Sequence, residues 1–265
     1  MSAFFSLLRL DATLAVRHRL LHVVVVVAVL FGVVVRFLLP AEAPGAWDHL
    51  DPEALVSGLP VQVLDPGSSH PPRNLTVLPV LFAVDLCVLG FMFAGVMVLQ
   101  DKEFGTLRLF RVSPGTTAGY LGSKLAVNVG LTALNYVVLV GIGAPHLLPV
   151  LPAAAIVLLA ASGMTLLGIA LAVFFRNLSS FFYPLAAVGL LAAVPMYKAE
   201  VPAANLEWAW WLPTWHALFG ADAAYFGGPP QVVQAGLWYT AAFATVAALA
   251  AWLAVDRRLM REVGG

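Results

Sequence analysis

The chain has 265 residues, 61% hydrophobic and 11% charged, with a mean hydropathy of +0.91. That balance exceeds what a soluble domain's surface tolerates, so water is not its main solvent. Fourteen basic residues offset fourteen acidic ones, so only the distribution of charge along the chain is informative and nothing suggests a nucleic-acid partner.

Strand-sized alternation is nowhere evident, which argues against a barrel. The single cysteine, Cys87, lies in an apolar run and has no intrachain disulfide partner. The length leaves room for six helical spans of about 20 residues each, and the expected fold is an all-α integral membrane bundle forming one transmembrane domain.

In chain order, residues 1–19 read as an interfacial helix. Phe4, Leu7, Leu8, Leu10 and Leu14 fall on one side, with Ser6, Arg9, Thr13 and Arg17 on the other. Asp11 sits in the apolar arc, against that pattern. The first span is 20–39 (LLHVVVVVAVLFGVVVRFLL), too long an apolar run for a signal-peptide core despite the Ala41-Glu42-Ala43 that follows. Residues 40–74 are rich in Pro, Gly, Asp and Glu and read as an outer loop. Further spans are expected at 75–99, 120–143, 153–175, 181–196 and 232–255. The stretch 203–230 is apolar and aromatic but interrupted by Pro213 and ended by Gly227, Gly228, Pro229 and Pro230. It reads as short re-entrant half-helices, with Trp208, Trp210, Trp211 and Trp215 at the headgroup boundary.

Orientation follows from Lys and Arg placement. Arg9, Arg17, Arg19, Lys102, Arg108, Arg111, Lys124, Arg176, Arg257, Arg258 and Arg261 fall on one side of the expected topology, and only Arg36, Arg73 and Lys198 on the other. Both termini are therefore expected in the cytoplasm, with the protein in the plasma membrane.

The cytoplasmic segment 100–119 has its own punctuation. Gly105 ends the helix leaving the second span, Thr106 caps a short new helix, and Pro114-Gly115 closes it before Thr116 caps the third span. Arg108 and Arg111 share a face, while Phe104, Leu107 and Phe110 supply apolar contacts. Such an element suits docking on another protein; the plainer alternative is a positively charged loop that fixes topology.

With these residues in view, the chain resembles the membrane (permease) subunit of type-2 ATP-binding cassette (ABC) exporters, with the look of a bacterial drug-efflux member. The resemblance covers the six-span architecture. It is most specific at Glu103-Phe104-Gly105-Thr106-Leu107, the Ser113-Pro114 turn, and Tyr120, Leu121 and Lys124, with weaker support from Leu212-Pro213-Thr214. It implies that Glu103, Phe104, Gly105, Thr106, Leu107, Arg108, Phe110 and Arg111 form a coupling helix inserted into a groove on an ATPase. It also implies two ABC ATPase subunits, which bind ATP and Mg, and a second permease subunit, identical or related. The first outer loop departs from the family, being neither minimal nor domain-sized. The chain carries no phosphate-cradling motif: Gly119 to Lys124 has glycines and a lysine in the wrong order. It is therefore not expected to be an enzyme, and no cofactor or metal is expected in it.

Asp85 is the one carboxylate well inside an expected span, at a cost of roughly 2.5–3.5 kcal/mol near mid-bilayer. On an α-helix it shares a face with Phe82, Leu89, Met92, Phe93 and Val96, a surface suited to a hydrophobic or amphipathic drug-like molecule. Asn128 and Asn135 of the third span, with Phe181 and Phe182 of the fifth, complete the candidate substrate path. The bland alternatives are a structural pairing of Asp85 with Asn128, Asn135 or Tyr136, and an aromatic belt at 181–183. Three other functional readings stand beside the drug exporter: an ABC exporter of lipid, glycan or ions, an ion-coupled transporter or channel using Asp85, and, more weakly, a membrane enzyme, whose candidates His22, His146 and His216 are scattered near span ends. The second predicts transport that survives without any ATPase.

Overall fold

A computed structural model describes residues 2–17, 20–39, 73–105, 116–200 and 204–259. Among these there are nine α-helices and no strand. In chain order they are α1 (Ser2–Arg17), α2 (Leu20–Val33), α3 (Arg73–Asp85), α4 (Ala94–Glu103), α5 (Thr117–Gly143), α6 (Leu151–Ala172), α7 (Leu178–Glu200), α8 (Pro213–Phe226) and α9 (Pro230–Ala254). Five helical runs are long and apolar enough to cross a bilayer: Leu21–Leu38, Thr117–Gly143, Leu151–Ala172, Leu178–Ala199 and Pro230–Arg258. The chain is a multi-pass, all-α membrane protein.

The expected span 75–99 takes a different form. It runs without a gap through α3, a π-helix at Leu86–Phe93, and α4. Pro79 inside α3 removes one helical donor. The wider π winding then changes the angular relation between residues before and after it. The 3.6-residue wheel that placed Phe82 and Met92 on one face assumes an unbroken α-helix, and that assumption fails here.

Local chemistry sets the helix ends. Gly105 takes a left-handed φ of 68° two residues past α4, and Thr116 caps α5 by accepting from the Gly119 amide at 3.1 Å. Pro213 and Pro230 open α8 and α9, and Gly227, with φ 74°, closes α8. Of the 203–230 stretch, the described residues 204–230 are thus helical in two pieces before α9, a 3-10 turn at Glu207–Trp211 and the 14-residue α8. At about 1.5 Å per residue α8 is shorter than a hydrocarbon core.

Helix α6 is the hub, packed against α4, α5, α8, α9 and the π-helix. Lipid gives helices little hydrophobic reason to associate, so close backbone approach matters. Gly168 of α6 lies against the Phe91 carbonyl of the π-helix, and Gly220 of α8 faces Gly236 of α9. Helix α7 is more peripheral and leaves Phe182, Tyr183 and Leu190 exposed.

Candidate functional site: a buried charge cluster

Polar contacts define one end of the bundle. Lys124, near the start of α5, is 2.6 Å from Asp11 of α1 and 2.8 Å from Asp101 of α4. The Tyr120 hydroxyl donates to the same Asp101 oxygen at 2.8 Å. All four side chains are buried, Asp11 at 3% and Lys124 at 2% exposure. One ammonium therefore serves two carboxylates. The second oxygen of Asp11 is buried with no hydrogen-bond partner.

Beside this cluster, Lys102 reaches the last turn of α6 and donates to the carbonyls of Ala172, Val173 and Phe175 at 3.0, 2.7 and 2.8 Å. Those are the acceptors a helix C-terminus leaves open, and a cation there complements the helix dipole. Thr117 donates to Asp256 at 3.4 Å, and Arg258 lies over the Phe174 ring at 4.7 Å. Lys102, Lys124 and Arg258, read from sequence as lying on one side, thus share one end of the bundle, which we term the basic end.

The segment read as a coupling helix begins and ends here. Glu103 is exposed, Phe104 is 68% exposed, and Gly105 makes the turn out of α4. Thr106, Leu107, Arg108, Phe110 and Arg111 lie outside the described residues. Residues 101–105 lead the chain out, and Thr116 to Lys124 bring it back. Both flanks carry members of the charge cluster.

The proposed substrate-path residues do not gather at one place. Phe82 stacks on Tyr136 with ring centres 5.2 Å apart and lies 6.4 Å from the Tyr225 ring, and the two tyrosine hydroxyls are 2.9 Å apart. Met92 and Phe93 pack instead with Val24 of α2. Phe181 is fully buried, stacked on Phe91 at 5.6 Å and pressed on Gly95, whereas Phe182 is 53% exposed. The side chains of Asp85 and Leu89 lie outside the described residues. Asn128 and Asn135 are buried on α5. Asn128 donates to the Lys124 carbonyl at 3.0 Å and lies 3.6 Å from the Met97 sulfur. Tyr136 meets Tyr225, so its described hydroxyl contact is across the bundle to α8.

The charge cluster was missed at sequence level, although Asp11 announced it. An acid in an apolar arc signals a buried cation elsewhere, and Lys124 supplies it. Lys102 gave no comparable signal, because its acceptors are backbone carbonyls. Compared with protein-family models and with curated proteins, the sequence finds no match in either.

Proposed function

We propose that the chain is the permease subunit of an ATP-driven ABC exporter. Two such subunits form a substrate path at their interface, each engaging a separate ATPase through the segment that follows Glu103. In this reading the run from α3 through α4 is the sixth crossing, the basic end faces the cytoplasm, and the broken pieces at 207–226 lie in the outer leaflet. The cargo is a small hydrophobic or amphipathic molecule. The observation that carries the proposal is the rooting of the 106–115 segment. Its two flanks are tied by Lys124, Asp101 and Tyr120 to each other and to α1, and Lys102 ties the outgoing flank to the end of α6. A push on the segment is thereby delivered to four helices together, which is what a lever between an ATPase and a bundle needs.

The test is reconstitution with the ATPase chain that co-purifies. Glu103→Ala and Phe110→Ala are expected to leave assembly intact and lower ATP-driven transport at least tenfold. Full transport by both variants, or transport by this chain with no ATPase in the particle, overturns the proposal and favours an ion-coupled carrier.

A further inference from the structure

Helix α1 is attached in an unusual way. Of its side chains with described surroundings, only one is buried, and that one is the Asp11 carboxylate. Phe5, Leu10 and Val16 are exposed, and Phe4, Leu7, Leu8 and Leu14 are half-buried, Phe4 lying over Gly122 of α5. A helix lying at the interface leaves such side chains to lipid, so they do not fix it to the bundle. The apolar hold of α1 is partial, with Leu7 against the core and Phe4 over Gly122, and its one buried polar anchor is an ion pair whose cation is shared with Asp101 and whose second carboxylate oxygen has no hydrogen-bond partner. Buried ion pairs are poor glue, because desolvation offsets much of the attraction, but removing one member is severe. The arrangement is that of a latch.

We infer that α1 is a detachable arm, and that its docking on the root of the 106–115 segment is set by competition between Asp11 and Asp101 for the Lys124 ammonium. Asp101 held at its 2.8 Å contact with Lys124 weakens the hold on Asp11 and lets α1 come free. Motion that withdraws Asp101 strengthens that hold. The latch stands on the geometry of this chain alone; its role in timing an ATPase stroke rests on the exporter reading.

Hydrogen–deuterium exchange of the purified full chain in lipid nanodiscs separates competition from simple glue. Asp11→Asn keeps the side-chain shape and leaves Lys124 balanced by Asp101, so the fold survives. Amide exchange over residues 4–16 is expected to rise at least tenfold, with α6 unchanged. Asp101→Asn removes the competitor while keeping an acceptor for Tyr120, and exchange over 4–16 is expected to fall about threefold. If Asp101→Asn loosens α1 instead, the cluster is a cooperative brace and the latch is wrong. Unchanged α1 exchange in Asp11→Asn overturns it as well. A general rise that includes α6 in Asp101→Asn also counts against it, since the competitor would then be holding the fold together. The exchange experiment involves no ATPase, whereas absence of an ATPase from the purified particle would remove the exporter reading and leave this result standing.

Discussion

The two ends of the bundle are held by different physics. Toward the basic end, where Phe181 also packs on Gly95, helices are joined by charges: Asp11, Asp101 and Lys124 in one cluster, Lys102 on the carbonyls of α6 in another. At the opposite end they meet through rings and glycines. Phe82, Tyr136 and Tyr225 stack, His216 lies flat on Tyr239 with centres 3.7 Å apart, and Gly220 closes on Gly236. Ring and backbone packing has one good arrangement and resists sliding. Ion pairs exchange partners over small displacements. The contrast places rigidity at the aromatic end and the capacity to rearrange at the end where the 106–115 segment leaves and re-enters the bundle.

The largest effect is expected from removing the shared cation. Lys124→Met leaves two carboxylates buried against each other, and unfolding in detergent is expected to show a loss of about 3–5 kcal/mol. A loss below about 1 kcal/mol would mean that water reaches the cluster, which would erase the difference between the ends. Next comes Gly220→Val at the aromatic end. A Cβ there stands 2.9 Å from the Gly236 backbone, which has no side chain to move aside. The expected cost is about 1–3 kcal/mol, measured the same way. Tyr225→Phe is milder: it leaves the Tyr136 hydroxyl without this partner but keeps the stack, for about 1 kcal/mol.

How much of this was legible beforehand differs between the ends for the same reason. Five of the six expected spans were readable because lipid demands about 20 apolar residues wherever a helix crosses. Caps at Thr116 and Gly227 were readable because they depend on local backbone chemistry. The face of the second span was not, because the winding changes to a π-helix at 86–93, where Gly168 lies against the Phe91 carbonyl, and a 3.6-residue wheel contains neither. Likewise Asp11 was visible as an anomaly, but its partner lies more than a hundred positions away in the chain. Within the candidate substrate path, the second-span face was assembled by periodicity, and the α-helical period ends where α3 does.

The smallest expected change in stability sharpens the contrast most. Glu103 is exposed at the end of α4, one residue before a turn that Gly105 completes with its left-handed φ. An exposed carboxylate on the last residue of a helix contributes little to the fold, so Glu103→Ala is expected to move unfolding by no more than about 0.5 kcal/mol. The same substitution is expected to abolish most ATP-driven transport if the segment beyond it docks on an ATPase. Lys124→Met is expected to cost stability first, whereas Glu103→Ala is expected to spare it. A variant that unfolds normally, keeps its ATPase partner and fails to transport identifies the basic end as a place where force is passed on. One that transports normally leaves Asp11, Asp101 and Lys124 as a brace for the fold, and the difference between the ends would then concern stability only.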